Sequence, residues 1–415
     1  MDKDTTKSTF TEYLNGLDWS MLCQEIERLK LDHYTKKLFV STWLKLMVYA
    51  QTHQVASLTD LSLHVRENQD LQREIGLSSI SAAQLSRKLR AMNPERLQTV
   101  FSQVMHSILA THRPQEAREQ TKRLCIVDAS TVTMCLERFP WAEFRSTKAG
   151  VKLHQRVVIV DGTMIPDKAI LTPARPSDKS QMEALVEVDP NALYLFDRGY
   201  VDYELFDQYC ESGMRFVTRL KHNARIREVE EERPVDPDSS VLQDAIIWLG
   251  QYPGYWMQAK LRLVEVRGDD GKPVQLLTND FELDAQEISA LYRKRWQIEL
   301  FFKWIKQHLV IKRIYGTSKW AVFNQLWLAL ITYGLLVKLR QQTGCQKRLL
   351  EVYKCVRHLW AKPFQEFIHS LRRQGERTSS GRRAFPVDTI FAYTLQQYEQ
   401  GDTRHLDELT YDPII

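Results

Sequence analysis

LYRKRWQIELFFKWIKQ, residues 291–307, decides how this chain is read. No Gly or Pro interrupts it, and Ile298, Phe301, Phe302 and Ile305 recur at helical spacing, which predicts an amphipathic helix. An α-helix turns by about 100° per residue, so Tyr292, Arg295, Glu299 and Lys306 fall within an arc of roughly 60°, with Lys303 beside them. The apolar residues occupy the opposite side, and the charged stripe is therefore expected on the face away from the core. In most proteins such a stripe is a solvated face with stray ion pairs. A carboxylate set among cations and a phenol also suits a site that holds a metal and a phosphodiester together.

Two upstream segments supply further acids. LCIVDAST (124–131) is an apolar, β-branched run that closes on Asp128, which predicts a buried strand with the acid near its end. A buried lone carboxylate is costly, so it requires a metal, a cation or hydrogen bonds. HQRVVIV (154–160) and TMIPDKAILT (163–172) read as two strands joined by the turn dipeptide Asp161-Gly162, followed by the polar turn ARPSDKSQ and a helix-like QMEALVEV. ALYLFDRGY (192–200) is a second apolar run, closing on Asp197. The two aspartates are 69 residues apart, and Glu299 lies 102 residues beyond the second. Asp161 falls in a turn and Asp178 and Asp189 fall in loops, so these three are expected to be solvent-facing or structural; Asp202 is a nearer rival to Asp197 but falls at a helix start rather than at a strand end.

The spacing Tyr292, Arg295, Glu299, Lys306 resembles the YREK signature of the DDE transposases of the bacterial insertion-sequence-4 family, and the DRGY box at 197–200 resembles that family's second-aspartate motif. The resemblance implies an α/β fold. Its ribonuclease-H-like catalytic core would span residues 121–222 and 284–320, interrupted by a β-rich insertion over 223–283. An N-terminal all-helical domain (1–120) would bind the element's ends, and a helical basic C-terminal region with an acidic tail (321–415) would follow. It further implies Asp128, Asp197 and Glu299 as catalytic, metal-holding acids for two Mg²⁺ (or Mn²⁺). Tyr292, Arg295, Lys303 and Lys306 would then contact DNA phosphates, with Trp296 as an aromatic beside the site. The implied partners are double-stranded DNA, both terminal inverted repeats and target, and a second copy of the chain in a synaptic complex. The implied reaction is cut-and-paste transposition through a hairpin intermediate. A domesticated DNA-binding descendant or a ribonuclease-H-like nuclease are the competing readings. The first would usually have lost an acid, and the second has no need of the stripe.

Composition is consistent with these expectations. At 415 residues, with 43% hydrophobic and 26% charged residues, the chain can hold two or three domains with full cores. No run of 18 apolar residues appears, so no membrane span is expected, and the polar N-terminus is unlike a secretory signal. The six cysteines include no C-x-x-C pair, which argues against a structural zinc site and fits a reducing, cytoplasmic compartment where the chain would associate with the nucleoid. There is no G-x-x-x-x-G-K-[ST] loop, so no nucleotide cofactor is expected. The net charge of +5 is unevenly placed. Residues 303–383 carry 17 Lys or Arg against three acids, a net of +14, which leaves −9 for the rest and marks this block for phosphate-backbone contact.

At residues 1 to about 120, apolar spacing predicts helices, with Ser81 as N-cap of the basic SAAQLSRKLRAM, half of a helix-turn-helix or an ordinary surface helix. FVTRLK (216–221) reads as the last core strand, and EVEEERPVDPDSS (228–240) as an acidic loop. AIIWL, YWMQAKLRLVEVR and VQLLTN read as insertion strands, in which Tyr255, Trp248 and Trp256 are either core residues or candidates for stacking on a flipped base. Asp284 reads as the N-cap leading into the Glu299 helix, and 320–341 as a buried apolar helix.

Overall fold

The computed structural model describes residues 7–111, 123–160, 163–189, 191–221, 223–250, 254–268 and 271–373. The expected boundary at 113–123 (Arg123 apart), the Asp161-Gly162 turn, the basic loop 377–383 and the acidic tail lie outside them. Seven helices open the chain: α1 (Thr9–Leu14), α2 (Trp19–Arg28), α3 (Val40–Thr52), α4 (Leu58–Glu67), α5 (Gln69–Ile75), α6 (Ala82–Ala91) and α7 (Pro94–Thr111). Ser81 caps α6 as its sequence predicts, with a reciprocal bond from Gln84 that satisfies two backbone donors at the helix start.

A ten-stranded mixed sheet follows. Its strands are β1 (Arg123–Cys135), β2 (Glu143–Arg145), β3 (Lys148–Val160), β4 (Thr163–Pro173), β5 (Ala192–Phe196) and β6 (Arg215–Arg219), then β7 (Ile226–Glu232), β8 (Val241–Leu249), β9 (Leu261–Arg267) and β10 (Pro273–Thr278). The order is β2-β3-β1-β5-β6-β10-β9-β8-β7, with β4 paired to β3. β1 runs antiparallel to β3 and parallel to β5, and β5 runs parallel to β6. The short α8 (Met182–Leu185) and α9 (Tyr203–Glu211) cover one face around Cys125, Val127, Tyr194 and Phe196. Strands β7 to β10 continue the sheet through β10 against β6. The start of the expected acidic loop is instead a strand: IREVEEE forms β7, whose residues are all exposed, so as an edge strand it shows no apolar alternation.

The other face packs against α10 (Ala285–Arg293), α11 (Gln297–His308) and α12 (Lys319–Gln342), and α13 (Leu349–Leu359) and α14 (Phe364–Arg372) close the described chain. α12 is long and apolar enough by composition to cross a membrane, contrary to the expectation from sequence, but 94% of its most apolar window is buried inside the protein. It contacts α3, α6 and α7 on one side and β4 on the other, joining the N-terminal helices to the sheet. Its few polar residues are anchors. Asn324 donates to the carbonyls of Leu89 (2.8 Å) and Met92 (2.7 Å), which end α6. Gln325 donates to Val310 O and Arg313 O (both 2.7 Å) and accepts from Tyr315 N (2.8 Å), fixing the link from α11.

These anchors define a test. Asn324→Leu would strand two buried carbonyls at the end of α6 and is expected to destabilise the fold by about 2–3 kcal/mol. A lowered midpoint in denaturant unfolding checks it, and an unchanged midpoint would refute the anchoring role.

Candidate active site

The site forms where the parallel strands end. β1 pairs with β3 along its whole length, Leu124 opposite Ile159 through Cys135 opposite Lys148, but its parallel pairing with β5 covers only Arg123–Val127 against Ala192–Phe196. Asp128 and Asp197 are the residues that follow the last parallel pair, Val127 and Phe196, so the two acids stand at one level on neighbouring strands. That is the edge where α/β sheets place ligands. Asp128 is thus in mid-strand rather than near a strand end, because the antiparallel β3 carries β1 onward past the site. Asp197 does end its strand. It caps the short turn Arg198–Tyr200, accepting from Gly199 N at 3.3 Å.

The helix expected over 291–307 is present but not uniform. A tight 3₁₀ turn, Lys294–Trp296, joins α10 to α11. In such a turn residues three apart nearly eclipse, and the Arg295 guanidinium lies 5.9 Å from the Tyr292 ring centroid. The stripe also faces inward. Tyr292, Arg295, Trp296 and Lys303 are buried, and Glu299 and Lys306 are half-buried. The reason is that both sides of the helix are covered. Phe301 and Trp304 pack edge-on against Tyr333 of α12, and the opposite side meets the strand ends.

Arg295 links the helix to the sheet. Its Nη2 donates to Glu299 Oε1 at 2.8 Å, and its Nη1 lies 3.4 Å from Asp128 Oδ2. Asp128 Oδ1 also accepts from Ala129 N at 2.7 Å. Tyr292 donates to the Phe196 carbonyl at 3.4 Å, just before Asp197, and burial pushes its phenol up to about 12. Burial pushes the Asp128 carboxyl up to about 6. Arg295 and the Ala129 N–H oppose that rise, while the charges of Asp197 and Asp178 add to it. Burial disfavours the Arg295 charge, but Tyr292, Glu299, Asp128 and Asp197 outweigh it and hold the guanidinium firmly protonated.

The structure therefore brings Asp128, Asp197, Tyr292, Arg295 and Glu299 to one crevice, with Lys303 and Lys306 one and two turns further along α11. Trp296 is buried beside it. The candidate stacking aromatics Trp248, Tyr255 and Trp256 are placed apart. Trp248 lies on β8, five strands from β1, or roughly 24 Å at the usual strand spacing. Tyr255 and Trp256 are exposed on the segment after it, where Tyr255 donates to Asp207 of α9 at 3.0 Å and Arg227 stacks between Trp248 and Trp256. Asp178 is half-buried, and its Oδ1 lies 2.8 Å from Lys152 Nζ. Its sequence context predicts a solvent-facing or structural residue.

Comparison with known proteins follows this geometry. The transposase DDE domain family matches residues 119–335, just over half of the chain. The chain belongs to the DDE transposase family. It is 34% identical over 226 residues to a protein of Geobacillus stearothermophilus named as transposase for insertion sequence element IS5377, covering 54% of this chain and 59% of that one. It is 33% identical over 253 residues to a protein of Sinorhizobium fredii named as transposase y4zB, covering 60% and 70%. The transposase of insertion sequence element IS4 from Escherichia coli K12 is 28% identical over 168 residues, covering 39% and 38%. The matched segments thus span well under the full length of these relatives.

The raised carboxyl of Asp128 gives a signed pH test. A folded-state value near 6, above the unfolded value near 4, means stability is highest in acid and falls as pH rises through 6. In chelator, Asp128→Asn is expected to gain up to about 3 kcal/mol over the parent above pH 7, the gain vanishing near pH 4. Thermal unfolding across that range checks it, and a gain that grows toward acid would contradict the sign.

Proposed function

We propose that this chain catalyses cleavage and strand transfer at the ends of an insertion sequence, with Asp128, Asp197 and Glu299 as its catalytic acids. The observation that carries the reading is the meeting of these acids with Arg295 and Tyr292 at the end of the parallel strands, in a chain of the DDE transposase family. The strand order β4-β3-β1-β5-β6, with β3 antiparallel to its neighbours and β1, β5 and β6 parallel, supports a ribonuclease-H-like core.

The family implies a divalent metal. Among the described residues, no three acidic, His or Cys side chains stand close enough to hold one ion as they now lie. The donor chemistry nevertheless fits one. All three acids offer hard carboxylate oxygens, which favour Mg²⁺ or Mn²⁺. A cationic guanidinium already bridges two of them, at a place where burial makes uncompensated negative charge costly. When bound, a pair of such ions supplies an activated nucleophile, charge neutralisation at phosphorus and a stabilised leaving oxygen. The residues of the chain do the rest. Asp128, Asp197 and Glu299 hold the ions, Arg295, Lys303 and Lys306 neutralise backbone phosphate, and Tyr292 can turn its hydroxyl to a phosphate oxygen. Trp296 backs the site from the core. The basic block after Lys303 would carry the flanking duplex, and two chains would act together on paired ends, through a hairpin as the family resemblance suggests.

A ribonuclease-H-like nuclease of general specificity is the second reading, and the basic, phenol-bearing surroundings of Glu299 favour the first. The test uses purified protein, Mg²⁺ and a labelled fragment carrying its gene with flanking DNA. Nicks or hairpins at the gene's borders are expected, falling by at least about a thousandfold in Asp197→Ala and Glu299→Gln. Binding without cleavage would favour a DNA-binding descendant, and random, Asp197-dependent cutting a general nuclease.

A further inference from the structure

One surface of the N-terminal helices is both strained and charged. The segment 29–38, LKLDHYTKKL, links α2 to α3. Its Lys30 (φ 51°) and Tyr34 (φ 63°) lie in the left-handed region, which bulky side chains rarely adopt. Tyr34 is 91% exposed, the most of any large hydrophobic side chain among the described residues, and Phe39 just after the segment is 45% exposed. A strained backbone that delivers an aromatic ring to water gains nothing from burial, so the conformation points to a contact outside the chain. The loop is nevertheless held in place. Asp32 accepts from Val40 N (2.9 Å) and pairs with Lys88 of α6 (3.0 Å), and Lys37 Nζ donates to Ser79 Oγ (3.0 Å) in the turn before α6. These two ties, near opposite ends of α6, lay the loop alongside that helix.

α5 ends on Gly76 in the left-handed conformation, and Ser81 opens α6, so α5, the turn and α6 follow in the order of a helix-turn-helix with the loop beside it. On α6, Leu85 and Leu89 are buried, while Ala83, Arg87 and Arg90 face solvent. The stretches 29–38 and 75–92 together carry six Lys or Arg against one acid, Asp32, which Lys88 neutralises. Residues 1–111 as a whole carry 13 against 12, so the remainder is net acidic and the basic patch is local. Lys30, Lys36, Arg87 and Arg90 are exposed and make no ion pair among the described residues. Exposed aromatics among unpaired cations, beside a helix with a small residue on its outer face, fit a phosphate backbone and its groove better than an apolar partner.

We propose that α6 and the 29–38 loop form one duplex-DNA surface, in which α6 enters the major groove while Tyr34, with Lys30 and Lys36, grips the adjoining backbone. The loop is the part that neither helix pattern nor charge count alone would single out. None of the residues assigned to catalysis belongs to this surface, and the inference rests on the reading of the chain as an enzyme that acts on DNA.

The test measures binding of the full chain, in chelator so that nothing is cleaved, to a labelled duplex from the gene's border at several salt concentrations. Tyr34→Asn removes the ring but keeps a residue that tolerates the left-handed backbone, so the fold is retained. Affinity is expected to fall at least about fivefold. Lys36→Gln combined with Arg87→Gln is expected to weaken binding and to lower the slope of log affinity against log salt by about 1.8. The surface is overturned if Tyr34→Asn changes affinity by less than about twofold. It is also overturned if the double variant leaves the slope unchanged while Lys312→Gln with Arg313→Gln lowers it. Loss of self-association in Tyr34→Asn with DNA binding intact, seen by sedimentation, would overturn it in favour of a protein contact. If the chain binds no duplex at all, this surface and the DNA reading fail together. If the binding changes appear but border cleavage in Mg²⁺ does not, the catalytic assignment fails and this surface stands.

Discussion

Carboxylates brought together at the edge of a buried sheet repel one another and lose their hydration, and the Arg295 guanidinium offsets that cost for two of them. Arg295 reaches Glu299 four residues along its own helix and Asp128 on β1, and so bolts α11 to the sheet at the level of the parallel strand ends. A buried pair of this kind adds little net stability over an apolar replacement, but removing Arg295 would leave Asp128 and Glu299 without this cation, at a cost of about 3–5 kcal/mol. The pairing therefore fixes where α11 can sit. The tight turn at Lys294–Trp296 follows from the same need, since it swings Arg295 over Tyr292 and toward the strands rather than out to solvent.

The rest of the architecture keeps that helix in place from behind. Phe301 and Trp304 lean on Tyr333 of α12, and α12 is gripped by α7, α6 and α3 on its far side. Its side chains Asn324 and Gln325 spend their hydrogen bonds on the ends of α6 and on the segment that leaves α11. Strands β7 to β10 belong to this framework as well. β10 covers the free edge of β6, and removing it would expose a row of unpaired backbone groups in the middle of the sheet.

Much of this was legible in the chain. Apolar runs closing on Asp128 and Asp197, the hairpin-like pair after the first, and the spacing around Glu299 placed the acids in the right elements. Local signals did equally well at Ser81 and Asp284, both of which cap helices. What failed were inferences that depend on neighbours. A helical wheel separates two faces but cannot say that both are buried, so the stripe was placed on the wrong side. The reach of β1 past Asp128 depends on β3, and the strand character of 226–232 depends on β8, since its own residues are charged and exposed. Asp178, by contrast, lies in a polar turn that reads as solvent-facing or structural, and it pairs with Lys152. Its surroundings come from Lys152 and from the turn after Asp197, which only the folded sheet brings near.

The inward orientation of the stripe constrains how a substrate can enter. Arg295 and Lys303 are almost completely covered, so a phosphate cannot meet them from the outer surface of α11. The exposed edge of the crevice is the turn after Asp197, where Arg198 and Gly199 face solvent while Tyr200 turns inward. A backbone approaching there would meet Asp197 before it met Glu299. Any cation neutralising these acids would compete with Arg295 for the oxygens that it now holds. In water such an exchange would be worth little, but at a buried sheet edge each added or displaced charge weighs heavily.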